Sequence, residues 1–350
     1  MTNFLYKLNF GAYASLMGFC VTLSGQTSGS GWISTPVVGL FATEDRLQVQ
    51  PILGVSGASL LGPPVALPAG VTRVYLGPTQ DSALVEDTSA AALGLLRFAG
   101  ATPGNVRAIP GAMASPDMVS FSPTGHSAAL LSNSTSTFQV VTGLDSTPRV
   151  VMDTSASGLS AAVLIAVNDN GTIPAIAEVD GRVHILRAGM SPELVFRGQG
   201  GLGMSFLPNV DSLSIVDGGS GELTVISNLT TIPSTRILAA TFKSSATEFL
   251  VQASIDGGRL FIAPAQGRSA FRADLNSGKV DSADLPVSTS RLERLRNSEV
   301  FLLSAEAGES AWLLLGDGTV LRTVFAPLLG GFSAVPIKVR PRTGRPLTAR

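Results

Sequence analysis

The 350-residue chain holds only two histidines and one cysteine, so few of its side chains could bind a metal or act as a thiol nucleophile. His126 falls in the turn Ser122-Pro123-Thr124-Gly125-His126, and His184 in an apolar run that opens Arg182-Val183. A metal centre needs several convergent ligands, commonly histidine or carboxylate. Nothing in the spacing brings these two together, and both read as surface or hydrogen-bonded side chains. Cys20 lies in an apolar N-terminal run, which leaves the rest of the chain without a thiolate, a disulfide or a cysteine nucleophile. Serine hydrolysis calls for a strained nucleophile turn such as Gly-x-Ser-x-Gly. Residues 29–31 and 219–221 are Gly-Ser-Gly turns without that context. Asn168-Asp169-Asn170-Gly171-Thr172 lacks the ligand order and closing glutamate of a calcium loop and reads as a hairpin turn. Arg291, Arg294 and Arg296, with Glu293 among them, form a small basic cluster. At strand spacing they could line one face and meet an anion, but a solvated edge is the plainer reading. No catalytic, cofactor-binding or metal-ligating residue is expected.

The elements that would carry these side chains recur every 43 to 47 residues or so between Val71 and Pro327. Apolar runs near Val74, Val119, Val163, Phe206, Leu250 and Leu292 each open a series of short strands separated by turns. The runs are too short for ordinary helices and are rich in Val, Ile, Leu and Thr. Asn-Gly or Asp-Gly recurs at 170, 180, 217, 256 and 317, which predicts tight hairpins with type I′ turns. A period of this size with four strands per unit predicts an all-β chain folded as a single β-propeller of antiparallel blades. Six units are complete from Gly70 onward. Strand candidates at 37–42 and 47–52 sit where outer strands of a further blade would be, and 332–339 offers one more. Closure by strands from both chain ends predicts seven blades, with six and an accessory hairpin as the alternative. Residues 54–68 read as a Gly/Pro-rich crossover.

Composition sets the remaining bounds. Charged residues are only 14% against about 25% in a typical soluble domain, and 45% hydrophobic content makes the chain too apolar for disorder. Residues 1–25 read as a signal peptide: Lys7 precedes an apolar run over 10–23, too short at about 1.5 Å per residue to span a bilayer. Residues 26–35 form a Ser/Gly linker, 36–340 the propeller with its repeats at 70–327, and 341–350 a basic tail. Lys7, Lys338, Arg340, Arg342, Arg345 and Arg350 lie outside the body. Without them, 18 of the 24 basic residues face 25 acidic ones, a balance of −7, which argues against a nucleic-acid surface.

Two stretches carry a family resemblance. Phe121-Ser122-Pro123-Thr124-Gly125-His126 through Asn133, followed by residues 138–143, resembles the YVTN and TolB-type bacterial propeller repeats. Residues 271–280 look like the later half of such a unit. The match departs from the family at Thr124, where Asp is usual. That resemblance implies the fold and a secreted address and fixes no activity. Tryptophan–aspartate repeats fit less well, since their Gly-His and Trp-Asp pairs are missing. Two tryptophans, Trp32 and Trp312, argue against a quinoprotein dehydrogenase. Ser254-Ile255-Asp256-Gly257-Gly258-Arg259-Leu260-Phe261 matches a sialidase Asp-box once, and is expected to be a structural turn; no clustered arginine triad for an acidic sugar is seen. Sequons at Asn133, Asn170 and Asn228 matter only in a host that glycosylates.

The sequence therefore leads to a non-enzymatic, secreted or periplasmic propeller scaffold, monomeric, with a protein or carbohydrate partner. It predicts no cofactor, no nucleic acid and no membrane contact beyond the signal segment. The alternative is a propeller hydrolase or lactonase-type enzyme with a metal held in its central channel.

Overall fold

The computed structural model describes residues 36–329, apart from 89, 91, 157–158, 160, 243, 297–298, 306–309 and 317. The signal peptide, the linker, the basic tail, Trp32, the turn at 29–31 and the strand expected at 332–339 lie outside these residues. Among the described residues there is no helix, and none long and apolar enough to cross a membrane.

Short apolar runs broken every few residues by turn formers cannot extend, so the chain folds into seven antiparallel sheets in sequence order. Blade I holds β1 (Val37–Ala42), β2 (Val49–Val55) and β3 (Ala58–Leu61). Blade II holds β4 (Val71–Leu76), β5 (Ser82–Asp87), β6 (Gly94–Ala99) and β7 (Thr102–Ala108). Blade III holds β8 (Met118–Phe121), β9 (Ser127–Ser132), β10 (Thr137–Thr142) and β11 (Arg149–Ser155). Blade IV holds β12 (Ala162–Val167), β13 (Pro174–Glu178), β14 (Arg182–Ile185) and β15 (Glu193–Arg197). Blade V holds β16 (Leu202–Phe206), β17 (Leu213–Asp217), β18 (Glu222–Ser227) and β19 (Ser234–Ala240). Blade VI holds β20 (Phe249–Ala253), β21 (Arg259–Pro264), β22 (Ser269–Asp274) and β23 (Val280–Asp284). Blade VII holds β24 (Glu293–Arg294), β25 (Val300–Ala305), β26 (Ala311–Leu315) and β27 (Arg322–Ala326).

The core is not one mass but lies between neighbouring blades. Ile52 and Leu61 of blade I pack with Leu302 and Leu313 of blade VII, while Leu40 and Val49 pack with Val74, Val85 and Leu96 of blade II. These two contacts close the ring: the protein is a seven-bladed β-propeller. Middle strands pressed on both faces lose the polar alternation of a one-sided sheet. Every residue of β9, β13 and β17 is buried, whereas the outer β7 and β11 are largely exposed.

Both ends of the chain meet at closure, as expected, but blade I differs in detail. It has three described strands, because Ala58–Leu61, inside the stretch expected to be a crossover, pairs with β2. The far end of the chain reaches its third strand: Leu61 N donates to Pro327 O and Leu329 N to Leu61 O, an isolated parallel bridge to Leu328. Among the described residues β1 is the strand of blade I nearest the channel: Leu40 and Phe41 are fully buried, and a Cβ on Gly39 would fall 2.9 Å from Leu295 Cβ. It also runs against its neighbour. Ala42 O accepts from Arg291, ahead of β24, and Val37 O from Arg296, behind it. The turn after β1 therefore sits at the end of the channel where the other inner strands begin.

The hairpin signals hold in place but not in type. At Asn170-Gly171, Asp180-Gly181 and Asp256-Gly257 only the glycine has positive φ, 69°, 85° and 69°. A type I′ turn needs positive φ at both central residues. Here Gly171, Gly181 and Gly257 each donate to the carbonyl three residues back, so each closes a turn and alone takes the left-handed position. At Asp217 the loop is longer, with Gly221 N bonded to Asp217 O.

Candidate functional site

Inner strands β4, β8, β12, β16, β20 and β24 surround a central channel. At the end where they start it opens into a cavity of about 640 Å³, lined by residues of all six blades and by Glu44, Asp45 and Arg46 of the β1–β2 turn. Below lies a narrower space of about 200 Å³ that shares Arg46, Tyr75, Val119, Ser120 and Gln252 with the first. In a chain with few charges, this is where they gather.

The mouth is organised around Tyr75 on β4. Its ring is buried, and its hydroxyl donates to Glu86 Oε1 at 2.8 Å across the β4–β5 pair. Ser115 Oγ donates to the other Glu86 oxygen at 3.1 Å, and Arg73 Nη1 stands 3.6 Å from the first. Burial, reinforced by the hydrogen bond and the charge of Glu86, pushes the Tyr75 phenol above its usual range. The Arg46 guanidinium lies 4.5 Å above the Tyr75 ring, a cation–π contact. The turn that carries it is fixed locally: Thr43 Oγ1 and Leu47 N donate to Asp45, holding that carboxyl below the ordinary range, and Val74 N donates to Arg46 O. Across the cavity the carboxylate of Glu248, just before β20, has no hydrogen-bond or ion-pair partner among the described residues. Burial pushes its carboxyl upward. The mouth thus presents guanidinium donors and carboxylate acceptors side by side over a wall of Val163, Met204 and Leu250.

The floor is built from the turns that end the inner strands. Asp169 ties blades III, IV and V: Oδ1 accepts from Thr124 N at 2.8 Å and its hydroxyl at 2.6 Å, and Oδ2 from Asn209 N at 2.7 Å. Gln80 ties blades I, II and VII. Its Oε1 accepts from Leu40 N at 2.7 Å, and its Nε2 donates to Leu40 O at 2.7 Å and Arg294 O at 3.3 Å. Gln80 has φ 57° in the turn position that glycine holds in blade III, where Gly125 has φ 80°. Both donate to the carbonyl three residues back. A left-handed glutamine costs about 1 kcal/mol or more, which its three side-chain bonds offset. Arg294, 4% exposed, donates to Ala253 O at 3.0 Å and to Pro123 O, reaching from blade VII to blades VI and III.

The residues singled out from sequence scatter accordingly. His126 is part-exposed on the turn after β8, with Nδ1 2.9 Å from Asp145 Oδ1. His184 is buried on β14, 3.8 Å from Glu178 Oε2. Neither lines the channel. No group of three or more His, Cys, Asp or Glu residues is placed to hold a metal among the described residues, so the donors required by a metal-dependent lactonase do not assemble there. The calcium-like stretch is a turn, with Asn168 Oδ1 accepting from Thr172 N and Ile173 N. The single Asp-box is likewise structural: Ser254 Oγ and Gly258 N both donate to Asp256 Oδ1, and the Ser254 bond holds that carboxyl below the ordinary range. Ser220 only receives Glu222 N. Of the basic cluster, Arg291 and Arg294 face the channel, while Arg296 turns away to Val37 O and Gly100 O. Sequence reasoning passed over Arg46, Tyr75, Gln80 and Glu248. Gln80 alone left a signal, as a bulky residue in a slot where blades III, IV and VI have glycine.

No family model matches the chain, and no curated protein matches it in sequence. Solved structures do match in fold. A functionally unknown protein from Desulfotomaculum acetoxidans DSM 771 is 14% identical, with TM-score 0.54 over 84% of this chain and 99% of that one. A Lactobacillus plantarum protein is 13% identical, with TM-score 0.53 over 83% and 96%. A Bacteroides uniformis ATCC 8492 protein with a provisional 6-phosphogluconolactonase assignment is 13% identical, with TM-score 0.54 over 83% and 96%. At such identities the likeness shows a propeller and carries no activity across.

Proposed function

We propose that this protein is a non-catalytic binding propeller, secreted or periplasmic and monomeric, that takes part of a glycan into the open end of its central channel. One observation carries the reading: the wide cavity sets the guanidinium groups of Arg46 and Arg73 among the carboxyl groups of Glu44, Asp117 and Glu248, above an apolar wall. A sugar hydroxyl both donates and accepts, so such a rim can satisfy it from two sides, while the wall suits the C–H face of the ring. Its volume falls in the range of small-ligand pockets, about 300–1,000 Å³. The signal-like segment with Lys7 supports the extracytoplasmic address.

The test is a glycan array probed with the full chain, alongside Glu248→Gln and Arg73→Ala. A small set of retained glycans whose binding falls about tenfold in either variant is expected. No retained glycan, or retention indifferent to both substitutions, would overturn the reading. Sequencing of the mature N-terminus is expected to begin near Gln26; an intact N-terminus on cytoplasmic protein would overturn the address.

A further inference from the structure

Arg294 stands in the lower part of the channel in an unusual electrostatic position. Its guanidinium has five N–H donors and cannot shed its proton in a protein. One Nη1 bond goes to Ala253 O and one Nη2 bond to Pro123 O, while Nε has no partner. Among the described residues it enters no ion pair, and burial disfavours its charged form, with Asp169 opposing that only in part. The Asp169 oxygens are already engaged by three donors from Thr124 and Asn209. A buried charge that enters no ion pair is among the costlier features a fold can keep.

The space above it is about 200 Å³ and is also lined by Arg46, Arg291, Gln252, Ser120 and Glu293. Arg291 Nη1 is bonded to Ala42 O and lies 3.8 Å from Glu293 Oε2, whose side chain is 43% exposed. Three guanidinium groups thus line the space with one carboxylate, Glu293, while Asp169 acts on Arg294 from outside that lining, so the balance of the lining is positive. The space adjoins the mouth already described, with which it shares five lining residues. A compact oxyanion entering by that route meets planar donors suited to it.

We propose that the lower channel is an oxyanion subsite, in which Arg294, with Arg291 and Arg46 above it, takes the carboxylate or phosphate group of an acidic saccharide. This rests on the glycan reading of the mouth and names the class of sugar. The neutral part of the ligand stays at the rim, and the anion supplies the counter-charge that the fold leaves out. Carboxylate and phosphate share the required chemistry, two or more oxygens in a plane or tripod with negative charge.

Calorimetric titration of the full chain with D-glucuronate, its neutral twin D-glucose and inorganic phosphate separates the possibilities. Glucuronate is expected to bind about tenfold tighter than glucose, to weaken with added salt, and to be displaced by phosphate. Arg294→Met should remove the preference for glucuronate while leaving glucose binding unchanged, and Arg294→Lys should keep part of it. Should Arg294→Met fail to fold, Arg291→Gln, which lines the lower space and not the mouth, carries the test, with a loss of about threefold for glucuronate and phosphate but not for glucose. Equal affinity for the two sugars, or anion binding untouched by these variants, would overturn the subsite and leave the glycan reading standing. Phosphate binding through Arg294 with neither sugar bound would keep the subsite and overturn the glycan reading.

Discussion

The two ends of the central channel use the same strand position in successive blades, yet they are built on opposite terms. At the floor nearly every polar atom is spoken for: Asp169 receives three donors and Gln80 makes three bonds that bind blades I, II and VII. At the mouth the Glu248 carboxylate has no hydrogen-bond or ion-pair partner among the described residues, and the Arg46 guanidinium lies over the Tyr75 ring. The floor spends its polar groups on holding the ring together, and the mouth keeps them for something else. Arg294 is the exception, a floor residue with donors left over. The contrast separates two uses of a degenerate repeat: the turns at the floor brace neighbouring blades, whereas the strand starts carry the side chains on which the proposed site rests.

The contrast predicts a graded set of outcomes. Gln80→Gly should have the largest effect, a loss of about 2 kcal/mol by denaturant unfolding, because three hydrogen bonds outweigh the backbone strain that glycine relieves. A stabilised variant would show that strain, not bracing, dominates the floor. Thr124→Asp, which restores the residue usual in the resembled repeat, should cost roughly 1–2 kcal/mol at pH 7. It sets a second carboxylate against Asp169, and the loss should fade below about pH 4 as carboxylates protonate. Tyr75→Phe, at the mouth, should cost about 1 kcal/mol for the bond to Glu86. Glu248→Gln should change stability by no more than about 0.5 kcal/mol, with a direction set by pH. The folded-state pKa of Glu248 is raised, so its contribution is present below the unfolded value of 4.5 and declines as pH rises through the folded one. The variant lacks that decline and should therefore melt slightly above the wild type at pH 7 and level with it near pH 4. A mouth variant as damaging as Gln80→Gly would erase the distinction between the two ends.

Much of the scaffold was legible from the chain. The first three strands of blade III were placed within a residue, and the fourth, read as 148–152, runs three residues further to Ser155; Ser122-Pro123-Thr124-Gly125 and the glycine at 143 mark turns whatever surrounds them. Blade I was only half legible. β3 hid among glycines and prolines because Ala58–Leu61 is short and earns its strand state by pairing with β2 and with Leu328, far away in the chain. The departure at Thr124, unexplained by sequence, is resolved by its hydroxyl bond to Asp169 of the next blade. Arg291, Arg294 and Arg296 looked alike in sequence, and only packing divided two channel residues from one that caps outer carbonyls.

The sequence by itself determined the period and the all-β character, because apolar run length and turn chemistry act over a few residues and need no partner; it favoured seven blades and left six open, and ring closure decided between them. Tertiary structure alone decided which way blade I runs, which polar atoms find partners and which charges share a cavity. Those are contacts between inner strands and turns of different blades, as far apart in sequence as Gln80 and Arg294. A local pattern cannot encode them, since each depends on the ring having closed.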